Sequence, residues 1–376
     1  MTKKYPGIKR ATRQEVYGFL RNQQHATRND IAGALGLSIP TVSKYLGHLT
    51  NTGLAVEKSK LTPGEEGGRA PSTYASVPNA RIAIGVSITR RSVTSVAVNL
   101  QGEVLEGHRI SLPFERSDAH ARKVGDEVAA LIEKARIPQE VLLGIGIAMP
   151  GLVDPATGTV VYGRVVDNEG FTSDHYSPYL PVNAHIIHDS YAGALAESWA
   201  WGSLQNAFHI SLNESVGGAI IYQNEVFRQE GGYPGEVGHV TAVPDGEECY
   251  CGQRGCVETV CTSTKLTSKD CPSVEEFFAR LDANSEGNAA WKTYTEYLAQ
   301  TIRNVRALFG GLVILGGEVG SAMGKHISDV HSKIDERTLF GELAADYVKL
   351  SKQGRHPVAA GAALHFIQEF LQDPGP

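Results

Sequence analysis

The chain has 376 residues, 41% of them hydrophobic, with a formal net charge of −6. That length holds two or three domains. No apolar run reaches membrane-spanning length, and MTKKYPGIKRATRQEV at the N-terminus lacks the apolar segment of a signal peptide. The expected setting is therefore the cytoplasm, with reduced thiols. The charge is uneven. Residues 1–60 hold ten Lys or Arg and three Asp or Glu, which leaves −13 for the remainder. A basic head on an acidic body fits a polyanionic partner.

Residues 12–24 read as a helix with Val16, Phe19 and Leu20 on one face. Thr27 is placed to cap the next helix through Ala34, with Asp30 three residues on. Gly36 breaks that helix. Ser38 caps a third, and Pro40 falls in its first turn, where backbone N–H groups lack partners anyway. Helix, glycine turn, helix is the helix-turn-helix arrangement. Val42, Leu46 and Leu49 face inward. Ser38, Thr41, Ser43, Lys44 and Tyr45 are left for a major groove. From Gly53, AVEKSKLTPGEEGGRAPSTYASV alternates like a hairpin, a wing whose Gly-rich tip carries Arg69 toward a minor groove. The reading is a winged helix-turn-helix domain over 1–72, mainly α, and a linker over 73–80.

From Ile82 the pattern changes. IAIGVSITRRSVTSVAVNLQGEV is strand, polar turn, strand, turn, strand, and HISLNESVGGAIIYQNEV repeats that shape. Helices follow near 117–135, 190–201, 288–308 and 357–371, with strands near 142–147, 184–187 and 312–316. Two β-β-β starts, each followed by helices, predict a duplicated α/β fold over 81–376 with two lobes. Lobe one spans about 81–188 plus the helix 357–371, and lobe two spans about 189–356. Ligands bind such folds between lobes, at strand ends. One strand end carries His188-Asp189. A carboxylate there accepts a hydroxyl proton or its hydrogen bond, or else simply caps the helix after it. Asn168 and Phe171 lie in a polar loop beside the cleft.

The stretch from Glu236 to Glu258, EVGHVTAVPDGEECYCGQRGCVE, is the densest in chemistry. Three of the five cysteines, Cys249, Cys251 and Cys256, fall within eight residues, ten after His239. Thiolates and an imidazole are ligands that zinc prefers, and four of them close a tetrahedral structural site. A disulfide or redox pair is the alternative; the spacing with its upstream histidine fits metal better.

GEVGH with CYCGQRGCVE, and GLSIPTVSKYLGHLTNTGLAVE followed by GGRAP, are similar to the ROK family of repressors and sugar kinases, and more closely to its transcriptional regulators. The likeness covers almost the whole chain. It implies a ribonuclease H-like (actin-like ATPase) duplicated fold, and structural zinc on His239, Cys249, Cys251 and Cys256. It implies that Glu236, His239 and Glu258 line a sugar site and that Asp189 stands at the kinase base; Asn168 and His188 join the candidate sugar site by position, with His188 standing where the family usually has asparagine. The kinases of the family carry Asp-x-Gly-x-Thr in their first phosphate turn; here Ser87 and Thr89 replace the aspartate and glycine. Their second phosphate loop is Gly-Thr-Gly-rich; here it reads Asn213-Glu214-Ser215. Side chains there obstruct the approach of backbone N–H groups to phosphate.

The expectation is a non-enzymatic regulator, a repressor of carbohydrate genes. A sugar or sugar derivative in the cleft would control its grip on palindromic operator DNA, and the chain would act as a dimer or tetramer. The rival is a ROK-type sugar kinase with a fused DNA-binding domain; a third reading is a regulator whose pocket is vestigial.

Overall fold

A computed structural model describes residues 6–58, 72–228, 234–281, 285–338 and 340–375. The head begins with α1 (Pro6–Asn22), β1 (Ala26–Thr27), α2 (Arg28–Leu35) and α3 (Ile39–Asn51), followed by β2 (Ala55–Lys58) and β3 (Thr73–Ser76). Helix α1 starts six residues before the expected position. Thr27 and Asp30 form a reciprocal capping box at the start of α2, and Gly36 closes that helix in the left-handed region at φ 63°. Ser38 caps α3 by accepting from the Thr41 amide. Val16, Leu20, Ile31, Val42, Leu46 and Leu49 are buried together. Residues 73–76, expected as linker, are instead the middle strand of the sheet β1-β3-β2. Pairing on both sides satisfies their backbone groups, as a free linker would not. The wing tip, with Arg69, lies outside the described residues.

Thr27→Ala removes an N-cap and half of a capping box. It is expected to cost about 1 kcal/mol, read as a lower melting temperature of the head, with Thr27→Ser restoring most of it.

Two sheets with the same order build the body. The first half supplies β4 (Ile82–Ile88), β5 (Ser92–Asn99), β6 (Val104–Ser111), α4 (Asp118–Lys134), β7 (Leu142–Met149), a hairpin of β8 (Leu152–Asp154) and β9 (Thr159–Tyr162), β10 (Ala184–His188) and α5 (Asp189–Trp201). The second supplies β11 (Asn206–Leu212), β12 (Val216–Tyr222), β13 (Glu225–Val226), α6 (Val274–Arg280), α7 (Ser285–Phe309), β14 (Leu312–Gly316), α8 (Gly317–Ala322), α9 (Ile327–Asp335), α10 (Ala344–Tyr347), β15 (Val348–Leu350) and α11 (Pro357–Gln372). The sheets run β10-β7-β4-β5-β6 and β13-β12-β11-β14-β15. In each, three antiparallel strands lead to two parallel ones. This is the duplication that the repeated pattern predicts.

The two helices that close the halves exchange places. Helix α5 leaves sheet one and packs on β12 and β11 of sheet two, whereas α11 leaves sheet two and packs on β4, β7 and β5 of sheet one. They cross each other between the lobes. Gly361 makes that crossing close, because a Cβ there would collide with the Ala192 backbone, and one at Gly85 would collide with Ala359. The position of α5 is therefore tied to both lobes.

The head rests on the same crossing. Arg21 of α1 lies 4.8 Å from the centre of the Trp199 ring of α5. Gln101 receives the Trp199 indole N–H at 3.0 Å on its carbonyl and donates its own amide to the Arg21 carbonyl at 3.0 Å. Arg13 pairs with Asp373, just past α11.

Candidate functional site

The stretch after His239 folds into a small knot held by bridges Thr241 to Cys256 and Glu248 to Arg254. Gly255 has φ 72°, and a Cβ on it would strike the Val243 backbone. Glycine is required there for the chain to close on itself. The closure brings four side chains together. His239, Cys249, Cys251 and Cys256 offer ligand atoms that all lie within 4.8 Å of one another. His239 Nδ1 is 3.6 Å from Cys249 Sγ, and Cys251 Sγ is 3.8 Å from Cys256 Sγ. A tetrahedron with Zn–S bonds of about 2.3 Å has edges of about 3.8 Å, while a disulfide needs about 2.05 Å. The thiols are free. Burial pushes the Cys256 thiol up to about 12, with help from its cysteine neighbours. Such thiols ionise only when a cation takes the place of their protons. The group fits a metal ion and not a disulfide.

The knot forms one wall of a cleft of about 270 Å³. His188 ends β10, and Asp189 opens α5, where its Oδ1 accepts the Ser190 amide at 2.7 Å. The cap position of α5 is His188 and Asp189 is its first helical residue, and Asp189 also lines the cavity. His188 lies 3.3 Å from Asp189 Oδ1 through Nε2 and 3.9 Å from Glu236 Oε1 through Nδ1. Glu258 accepts the Val216 amide at 2.6 Å and stands behind the other carboxylates. Burial raises the pKa of all three acids, with Asp189 and Glu236 adding to Glu258, which reaches about 7. Two carboxylates beside His188, with Glu258 behind them, make a site for several hydroxyl donors. With Nδ1 turned to the thiols, His239 has its Nε2–H free to donate.

Glu258 links both folding and binding to pH. Its folded pKa is above its unfolded one, so it favours the fold below about 4.5, and that contribution is lost as pH rises through about 7. Affinity for a hydroxyl donor runs the other way. Sugar binding is expected to strengthen from pH 6 to pH 8 as the acid ionises, and calorimetry on Glu258→Gln should show that slope flattened.

Asn168 is set back from the cleft. It is fully buried, and its Nδ2 donates to the Pro150 carbonyl at 2.9 Å. It holds the turn after β7, and Pro150 itself lines the cavity. Residues that the sequence did not flag also face the cleft. Tyr162, from the β8–β9 hairpin, donates to the Tyr250 carbonyl in the knot at 3.1 Å and joins the two lobes over it. Gln253 and Arg164 face it too. Nothing in their local pattern separates them from ordinary loop residues.

The turns expected at the phosphate loops hold side chains bonded to their neighbours. Thr89 Oγ1 sits 2.9 Å from Ser92 Oγ and accepts the Ser92 amide. Ser87 is inside β4, paired with Thr94. Asn213 Oδ1 takes the Glu318 amide at 2.9 Å, and the Asn213 amide donates to the Ser215 carbonyl. Arg91 and Glu214, one from each turn, form an ion pair at 3.2 Å across the lobes.

On the head, Ser38 and Lys44 are exposed, and Thr41, Ser43 and Tyr45 are half-buried. The Ser38 and Thr41 hydroxyls bond each other at 2.8 Å. Tyr45 also packs against the core of the head. All five lie on α3 or its cap, as the helical spacing predicts.

Residues 83–369 match the ROK family, and residues 9–55 match a winged helix-turn-helix DNA-binding domain. The chain belongs to the ROK family. It is 24% identical over 377 residues to the xylose repressor of Caldicellulosiruptor bescii, which covers 93% of each chain. It is 26% identical to the DNA-binding transcriptional dual regulator NagC of Escherichia coli, over 70% of this chain and 65% of NagC. Among solved structures, a ROK family transcriptional regulator, described as a homologue of the E. coli MLC protein, superposes at TM-score 0.77. It is 21% identical and covers 97% of both chains. A ROK family glucokinase from Streptomyces griseus superposes at 0.64 with 21% identity, over 76% of this chain and 98% of that one. At such identities the structural likeness establishes the fold, which regulators and kinases share. The first extends across the head as well; the kinase ends with the ROK body.

Proposed function

We propose that this ROK protein is a transcriptional repressor of carbohydrate genes whose hold on operator DNA is set by a sugar or sugar derivative in the cleft. The observation that carries the reading is the pairing of a carboxylate-lined cleft with a helix-turn-helix head that is docked on the helix leaving that cleft. Asp189 begins α5, and Trp199, ten residues on, meets Arg21 of the head. A ligand that shifts α5 between two positions shifts the seat of the head. It can do so only by as much as its affinity differs between the two states. Zinc on His239, Cys249, Cys251 and Cys256 would hold the knot, fixing His239 and the wall that carries Glu258. It supplies no reactive step.

The protein acts in the cytoplasm, where its DNA is, and as a homodimer whose two heads match a palindromic site. Ser38, Thr41, Ser43, Lys44 and Tyr45 meet the major groove, and Arg69 the minor groove. Phosphate contacts make that binding fall as salt rises. The protein is not a kinase on this reading, because Ser87, Thr89, Asn213 and Ser215 replace the open phosphate turns. Asp189 and the shared kinase fold sustain the opposite reading, and an ATP-consumption assay across a sugar panel separates the two: sustained turnover would defeat the regulator without enzymatic activity.

Trp199→Ala tests the route. The variant is expected to keep its sugar affinity and its affinity for operator DNA without sugar, and to lose most of the change in DNA affinity that sugar causes. Gel-shift titration with and without sugar reads this. An undiminished response would show that the signal bypasses the contact between α5 and the head.

A further inference from the structure

A second chamber opens beside the sugar cleft. The two share His188 and Glu236, so they meet at the cleft's own binding residues. Asp189 borders the cleft but not the chamber. The chamber measures about 80 Å³ against about 270 Å³ for the cleft. It therefore takes a substituent and not a second sugar.

Apolar residues make up a larger share of the chamber's lining than of the cleft's, beside His185, His188, Arg228 and Glu236. Val153, Ile187 and Val226 line it with aliphatic surface, and Tyr191 and Phe227 with aromatic surface. Phe227 is 44% exposed, an unusual position for a phenyl side chain with a core nearby. At the far side, Arg228 lies 4.1 Å from the centre of the Tyr191 ring and reaches His365 at 3.3 Å, so its aliphatic stem extends the apolar wall. A carboxylate-lined cleft continuous with an apolar chamber matches a ligand with the same two halves.

We propose that the chamber is a subsite for the aglycone of a glycoside, and that the effector is a sugar carrying an aromatic or alkyl group at its anomeric carbon. The proposal rests on the sugar-binding reading above and narrows it. The anomeric carbon is the position at which a sugar most readily carries an apolar group, and such a group would pass through the opening at His188 and Glu236, which the cleft and the chamber share. The hydroxyls then stay among the carboxylates, and the aglycone enters between Phe227 and Tyr191. Aromatic and aliphatic walls reward that transfer from water in proportion to the apolar area covered.

The test is calorimetry on the full chain with matched ligands: glucose and xylose, and their methyl and phenyl glycosides in both anomeric forms. For at least one sugar the phenyl glycoside is expected to bind about tenfold or more tightly than the methyl glycoside, equivalent to about 1.4 kcal/mol. Phe227→Ala, at an exposed position that leaves the core intact, should reduce that ratio several-fold while the methyl glycoside binds as before. Val226→Trp, which fills the chamber, should abolish it. A circular dichroism melt reports whether that bulkier variant folds, and Phe227→Ala decides the matter if it does not. Methyl and phenyl glycosides of equal affinity would overturn the subsite while leaving the sugar cleft standing, as would a ratio unmoved by Phe227→Ala. If neither the free sugars nor any glycoside binds, the cleft reading fails and the subsite with it.

Discussion

Cys251→Ser is expected to empty the knot of metal. The wild-type protein should carry close to one zinc per chain by elemental analysis, and the variant less than about a tenth of that. Four ligand atoms within 4.8 Å make the site. A serine hydroxyl stays protonated at neutral pH and is a harder donor than thiolate, so it replaces neither the charge nor the softness that zinc selects. Loss even of an outer-shell partner lowers metal affinity about 10- to 100-fold; loss of a direct ligand should exceed that. The knot carries His239 and, two residues past Cys256, Glu258. Sugar binding should therefore collapse with the metal, and the melting temperature of the ROK domain should fall. The core of the head, with Val16, Leu20, Ile31, Val42 and Leu49, continues into the packing of α5 and α11 and not into the knot, whose Val237, Ala242 and Val257 belong to a different cluster, so DNA binding without sugar should survive. A variant with full zinc and ordinary sugar affinity would remove the metal assignment. Chelation of the wild-type protein should reproduce the variant, and zinc addition should reverse it.

Asp189→Ala should lower sugar affinity about 10- to 100-fold, the loss of one charge-assisted hydrogen bond at about 1.5–3 kcal/mol. It should not destabilise the fold in proportion. Burial raises the pKa of Asp189 more than His188 and the Ser190 amide lower it. A carboxylate in that balance opposes the fold when ionised, so its removal is close to neutral or stabilising at pH 7. Weak binding with an unchanged or higher melting temperature is the signature of a binding residue. Loss of both together would assign Asp189 to structure alone, as the acid in the first turn of α5. With the sugar contact gone, gel shifts should show operator binding that no longer responds to sugar, which a vestigial pocket would not produce.

The duplication was legible because each half repeats one pattern of strands and turns, and a period-2 hydrophobic pattern is a local property of the chain. The head was legible for a similar reason: Thr27, Asp30, Gly36 and Ser38 act within one or two turns of themselves. Residues 73–76 misled, because pairing with β1 and β2 is decided by partners that lie far off in sequence. Short polar segments carry no mark of which neighbour will take their backbone groups.

What the sequence determined by itself is the chemistry: the thiols and imidazole at metal spacing, the acids that flank them, the side chains standing in the phosphate turns, and the caps that set the head's helices. Only the tertiary structure decided where that chemistry converges. It set Glu258 behind Asp189, closed Tyr162 onto the knot, returned Asn168 to the interior, and exchanged α5 with α11 so that the carboxylate-lined cleft and the head share a helix. The physical reason is range. Capping, turn and ligand preferences act over a few residues, whereas a cleft is made by groups 50 to 100 residues apart, and their meeting depends on packing that no single stretch encodes.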